Sequence, residues 1–276
     1  MYTDILHLHG FKCAGTTFIW SLEHSSNSQL IYAESPESGD RLHWQLLRDH
    51  LQASDSRPRA ITSHLVTLPP PGAVAQLKVA ILREPMARIG SAFRFTTTVQ
   101  QSAQKVPFAR HLEQLLSSTL ANYQTRHLSP QEPVDWVYRR GWAARPELID
   151  LERDDLFVGL VERYDESMVA LEAKLERMGQ SWNLAYPQRF NTTSSHGLAD
   201  LEERHRCTPM GLAVTELDLS LYRRVEERLE EHLGAIPDVE DRLLHFRQRC
   251  QALVDQPPDV RIKPQSEWLT LPCPAP

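Results

Sequence analysis

The stretch from Asp4 to Phe18 constrains the chain more than any other. Its apolar run, Ile5, Leu6 and Leu8, reads as a short buried strand that breaks at Gly10. A second glycine, Gly15, is followed by Thr16 and Thr17, and a helical pattern then begins with Phe18, Ile19 and Leu22. A strand, a glycine-bracketed loop and a helix N-terminus bring successive backbone N–H groups to one place. That is how a backbone holds a phosphate.

The glycine spacing follows the consensus G-x-x-x-x-G-K-[ST] of nucleotide-binding P-loops, with one disagreement. Thr16 stands at the lysine position, and the lysine lies inside the loop as Lys12. The usual lysine reaches the β- and γ-phosphates, so moving it argues against ordinary ATP or GTP chemistry. It suits a ligand with one phosphate in the cradle and a second anionic group beside it. Phe11-Lys12-Cys13-Ala14-Gly15-Thr16-Thr17-Phe18 resembles the 5′-phosphosulfate loop of sulfotransferases, Pro-Lys-x-Gly-Gly-Thr-Ser/Thr-Leu. Those enzymes use 3′-phosphoadenylyl sulfate (PAPS) as donor. Phe11 replaces the proline of that pattern and Ala14 its first glycine. Alanine is small enough for the loop, although it resists the positive φ that glycine takes freely.

The second motif is Leu82-Arg83-Glu84-Pro85-Met86-Ala87-Arg88-Ile89-Gly90-Ser91-Ala92-Phe93. It follows Leu77–Leu82, the best strand pattern in the chain, and Pro85 opens a helix where its missing N–H costs little. An arginine at a strand end offers a planar donor fork to a phosphate, and Ser91 can donate from the helix. The helix would turn Met86, Ile89, Ala92 and Phe93 inward and Arg88, Ser91 and Arg94 to other faces. The segment resembles the family's 3′-phosphate motif, Leu-Arg-Asp-Pro-x-x-Arg-x-x-Ser-x-Tyr/Phe, with Glu84 in place of aspartate. Between the motifs, Thr62-Ser63-His64-Leu65 ends a strand with a histidine where the family commonly has its general base. Alternation puts His7 and His9 on one strand face, where packing accounts for them. Phe157 to Tyr164 resembles the family's Val-Gly-Leu-Thr-Glu-Arg-Phe and reads as architectural support, and Arg189 to Thr193 falls where relatives have a polar loop over the nucleotide.

At 276 residues the chain has room for one large α/β domain. Strand and helix patterns alternate, which implies a P-loop-NTPase-like domain: a parallel sheet flanked by helices, with ligands at the strands' carboxyl ends. Residues 1–255 form that domain, and the proline-rich segment 256–276 reads as an extended tail. Ser129 to Pro146, with Trp136, Tyr138 and Trp142, reads as part of a substrate-side cap, and Thr215 to His232 as a helix capped by Thr215. A net charge of −6 excludes a broad nucleic-acid footprint. The four cysteines form no close pair, and the twelve histidines show no ligand spacing, so neither a disulfide framework nor a metal is expected. No apolar run reaches the ~20 residues that span a bilayer, and the first strand leaves no room for a signal peptide, so a cytoplasmic, bacterial protein is expected.

The resemblance therefore implies a PAPS-dependent sulfotransferase, closer to the carbohydrate type, acting on a hydroxyl or amine of a carbohydrate or small metabolite. Lys12, Cys13, Ala14, Gly15, Thr16 and Thr17 would hold the 5′-phosphate, and Arg83 and Ser91 the 3′-phosphate. His64 would be the base and Lys12 would stabilise the leaving group. Two alternatives remain: a P-loop kinase or nucleotide hydrolase, which Thr16 disfavours, and a non-catalytic nucleotide-binding protein of the same fold.

Overall fold

The computed structural model describes residues 3–27, 29–34, 42–54, 57–99, 106–118, 120–130, 144–187 and 198–271. Its strands are β1 (Thr3–Leu8), β2 (Leu30–Glu34), β3 (Ala60–Ser63), β4 (Ala75–Leu82), β5 (Leu156–Leu160) and β6 (Leu269–Thr270). They lie in the order β5-β4-β1-β3-β2-β6, and every neighbouring pair is parallel. β4 and β5 are nearly continuous apolar runs because helices cover both faces of a parallel sheet, and all of β5 is buried. Leu8 is in register with Ser63 on one side and Ala80 on the other. The carboxyl ends of β3, β1 and β4 therefore finish side by side, with β1 in the middle.

The helices are α1 (Gly15–Ser26), α2 (Trp44–Ala53), α3 (Pro85–Arg94), α4 (Phe108–Leu116), α5 (Tyr123–Leu128), α6 (Tyr164–Arg177), α7 (Leu198–Arg206), α8 (Pro209–Gly234) and α9 (Val239–Asp255). A π-turn, Phe95–Val99, prolongs α3. Glu84 caps α3 by accepting from the Ala87 N–H at 2.7 Å, and Pro85 occupies the first turn. One core joins the sheet to α1, α6, α8 and α9. A smaller cluster of Met86, Ile89, Phe108, Leu112, Leu115, Ala121 and Val214 fastens α3 to α4 and α8. The α/β class and the parallel sheet flanked by helices are as the sequence predicts. Among the described residues no helix is long and apolar enough to cross a membrane.

Three local expectations differ from what is found. Arg88 is not on an open face of α3 but fully buried, at 1% exposure; its Nη2 donates to the Leu120 carbonyl at 3.0 Å and its guanidinium lies 5.0 Å from the Tyr123 ring centre. Thr208 rather than Thr215 caps the long helix α8, accepting from the Gly211 N–H at 3.1 Å, because Pro209 suits a first turn. Thr215 is buried inside α8 and bonds back to the Gly211 carbonyl at 2.7 Å. The segment after Gln256, read as an extended tail, returns to the sheet: Ala33 pairs with Leu269, Glu34 with Thr270, and the Leu271 N–H donates to the Glu34 carbonyl at 3.0 Å. Trp136, Tyr138 and Trp142, expected in a cap, lie outside the described residues.

Candidate functional site

The loop after β1 has to turn sharply between Gly10 and Gly15, and it does so at residues that are not glycine. Lys12 (φ 66°) and Ala14 (φ 56°) both occupy the left-handed region. Each such residue costs about 1–2 kcal/mol and persists only where its surroundings enforce it. Those surroundings are visible. The Phe11 N–H donates to the Tyr123 hydroxyl at 3.1 Å, and the buried Cys13 thiol donates to Gln124 Oε1 at 3.5 Å. Burial pushes that thiol up to about 12, so it is a packing group here and not a nucleophile. Left-handed residues alternating along a loop gather N–H groups into an anion-binding concavity. Gly15 then opens α1, whose positive N-terminal end faces the loop and to which Ala14 offers no side-chain cap. Of the two threonines there, Thr17 is buried and Thr16 partly so. Gly15 answers a second need as well: a Cβ there would lie 1.6 Å from His9 Nε2.

Cations gather on the β4 side of this loop. The Lys12 ammonium sits 4.4 Å from the centre of the Phe95 ring, at the start of the π-turn. Burial lowers its pKa, and the Arg83 and Arg94 guanidiniums lower it further. Arg83 follows β4 directly. Its Nε is buried with no hydrogen-bond partner, while its backbone is clamped by one side chain: the Arg83 N–H donates to Gln124 Oε1 at 2.7 Å, and Gln124 Nε2 donates to the Arg83 carbonyl at 2.8 Å. Gln124 is set in turn by the buried Asp218 of α8, which accepts from the Gln124 and Thr125 N–H groups at 3.2 and 2.7 Å. Ser91 lies further along α3, partly exposed. Glu202 of α7 reaches across Gly90, where a Cβ would meet its Oε1 at 1.9 Å; burial raises its pKa, opposed by Arg83 and Arg94. Glu84 forms an ion pair with Arg206.

Imidazoles occupy the β3 side. His64 Nδ1 lies 3.0 Å from the His9 carbonyl oxygen. A carbonyl only accepts, so Nδ1 carries the hydrogen and the neutral ring keeps its lone pair on Nε2. Burial lowers the pKa of His64, opposed by that carbonyl, and so favours the neutral form. The His9 ring stacks on His64 with centres 3.6 Å apart, and His7 stacks on His9 at 5.0 Å. His7 Nδ1 lies 2.9 Å from Thr62 Oγ1, and burial, with a smaller contribution from His64, brings its pKa down to about 3. Packing accounts for His7, as the alternation implied. His9 goes beyond packing, since it touches both the loop glycine and the His64 ring. The His64 N–H donates to Glu34 Oε1 at 2.8 Å, and burial pushes this carboxyl up to about 7, opposed by that bond.

The loop after β1, Arg83 after β4 and His64 after β3 thus lie at the carboxyl ends of three neighbouring strands. The loop Lys12 to Thr17 is central, His64 stands on one flank and Arg83 on the other, while Ser91 lies within α3. The Arg189–Thr193 segment lies outside the described residues. Sequence reasoning missed Tyr123, Gln124, Asp218, Glu34 and Glu202. None belongs to a local motif; the available signal was the presence of polar residues inside otherwise apolar patterns, which the sequence does not link to a site. Among the described residues no group of three or more His, Cys, Asp or Glu side chains is placed to hold a metal. Neither a protein-family model nor a curated protein matches the sequence. Among solved structures, mouse sulfotransferase SULT7A1 complexed with PAP is similar at 15% identity and a TM-score of 0.38, over 90% of this chain and 91% of that one. A likeness of that degree assigns no role to any residue.

Proposed function

We propose that the chain is a sulfotransferase that moves a sulfuryl group from PAPS to a hydroxyl of a carbohydrate or small-metabolite acceptor. The observation that carries this reading is the order of three strand ends. A left-handed anion loop bearing Lys12 lies between an arginine whose buried Nε lacks a partner and a histidine whose Nε2 is its free lone pair. A nucleotide with phosphates at both ends fits the loop and Arg83 together. An ordinary nucleoside triphosphate would instead need a lysine at Thr16.

In this reading the donor supplies the sulfuryl group and leaves as 3′-phosphoadenosine 5′-phosphate (PAP). The loop amides with Thr16 and Thr17 hold the 5′-phosphate, and Arg83 and Ser91 hold the 3′-phosphate. His64 Nε2 takes the proton as the acceptor O–H bond breaks and its oxygen bonds to sulfur. The sulfur–oxygen bond to the donor phosphate breaks at the same time, and the electron pair stays on the phosphate oxygen beside Lys12. Catalysis of this kind comes mostly from positioning and electrostatics.

The test joins binding to turnover. PAP, with a chelator present, should raise the melting temperature; a ligand at 100 times its Kd contributes about 2.7 kcal/mol. His64→Ala should lower kcat by roughly 10²–10⁴ and leave PAP affinity near wild type, whereas Lys12→Ala should damage both. No thermal shift with saturating PAP, or a His64→Ala protein that keeps its turnover, would remove the proposal.

A further inference from the structure

The residues that return after Gln256 end beside the base, and the reading above gives them no part. If the donor phosphates lie along the loop toward Arg83, on the β4 side, then the acceptor meets His64 from the opposite side, where β3, β2 and β6 lie. Trp268 stands there. Its ring stacks on Tyr32, with centres 5.5 Å apart and 20° between planes, and lies 6.4 Å from the His64 ring. Its Nε1 already donates to the Lys263 carbonyl at 3.1 Å, and the side chain is partly exposed. An indole with its N–H satisfied and one face covered has only apolar surface left to give a ligand.

Trp268 and His64 are also registered against one residue. The Glu34 carbonyl accepts from Leu271 at 3.0 Å, which fixes the strand that Trp268 introduces. The Glu34 carboxyl accepts from the His64 N–H at 2.8 Å. The indole and the imidazole are therefore held at a set spacing, as a site needs if it is to bring an acceptor oxygen to a base.

Resting on the sulfotransferase reading, we infer that Trp268 is the acceptor platform: a ring that carries the accepting hydroxyl packs against the indole and directs that hydroxyl to His64 Nε2. The chemistry recognised is a hydroxylated ring with a flat apolar face. A pyranose and a phenol both meet that description, and separate acceptor arms distinguish them.

The experiment measures acceptor KM and PAP Kd for the full chain as wild type, Trp268→Ala, Trp268→Leu and Trp268→Phe, with one pyranoside arm and one phenol arm. Loss of the indole face should raise KM about ten-fold in the arm that wild type turns over, with PAP Kd unchanged and Phe restoring most of the loss. The responding arm names the acceptor class. Leucine keeps an apolar cover over Tyr32 while removing the flat face, so it answers even if the alanine variant does not fold. An unchanged KM in an active Ala or Leu variant overturns the platform and leaves the sulfotransferase reading standing. Failure of wild type to bind PAP overturns that reading, and the platform with it.

Discussion

Glu34 joins the edge of the sheet to His64, and its carboxyl carries a consequence for stability. Burial pushes it up to about 7, although the His64 N–H, which favours the charged form, works against that. In the unfolded chain the same group titrates near 4.3. The folded value is the higher one, so the stability that goes with the protonated form is complete below the unfolded value. It is lost as pH rises through about 7. Glu34→Gln keeps an oxygen for the His64 N–H and removes the charge. The variant should therefore exceed wild type in stability at pH 8 by on the order of 1–2 kcal/mol, after allowance for partial exposure, and the two should converge near pH 4. Urea denaturation at both pH values reads the difference. Equal stability at pH 8 would mean that the carboxyl is solvated. At the same scale, Ala14 and Lys12 hold left-handed backbone without glycine's freedom. Two of the six described non-glycine residues in that region fall within the loop proposed to hold phosphate.

At the scale of elements, the short helix α5 does more for the site than its length suggests. Gln124 clamps the Arg83 backbone from both sides and receives the Cys13 thiol, so it fixes the end of β4 and the loop after β1 together. Gln124→Ala should leave the Arg83 N–H and carbonyl without that partner, and a buried polar group left unpaired costs about 1–3 kcal/mol. PAP affinity should fall too, although no role in contacting the nucleotide is proposed for this side chain. A calorimetric titration showing unchanged affinity would put the positioning of Arg83 elsewhere. The sequence makes β1, β4, β5 and α3 readable, because each is a long apolar pattern punctuated by glycine, proline or charge. It leaves α5 hidden, because a six-residue helix has no useful period and this one is capped by Asp218 from a distant helix. The two-residue β6 is hidden for the same reason. Arg88 is misplaced by any helical wheel, since a charge on α3 is assigned to water until the Leu120 carbonyl and Tyr123 are seen to cover it. Likewise Lys12, His64 and Arg83, the proposed contacts, stand in motifs at strand ends, whereas Gln124 and Glu34 act through contacts that no local pattern encodes.

Across the whole molecule the site divides into two sides that different parts of the chain support. Arg83, Gln124 and Asp218 secure the β4 side through α3, α5 and α8. The β3 side rests on β2 and on the returning C-terminal segment. Lys263 Nζ donates to the Leu30 carbonyl at 2.8 Å, Trp268 stacks on Tyr32, and Leu271 is buried in the main core at 8% exposure. Ending the chain after Asp255 would expose Tyr32 and leave β2 as an open edge, with the Glu34 carbonyl unpaired. Burial of one large apolar side chain stabilises by about 1.5–3 kcal/mol, and Trp268 and Leu271 would both be lost, so the shortened protein should melt several degrees lower. The two functions should then separate. In the proposed reading PAP binds through residues on the central loop and the β4 side, so its affinity should stay within a few-fold of wild type in the folded fraction. Turnover should collapse, because His64, the proposed base, has lost the strand that fixes Glu34 behind it. Calorimetric titration with PAP alongside a transfer assay on one shortened preparation reads both quantities. A shortened protein that folds but no longer binds PAP would show that the two sides are one cooperative unit, whereas one that turns over normally would show that the returning segment is an appendage.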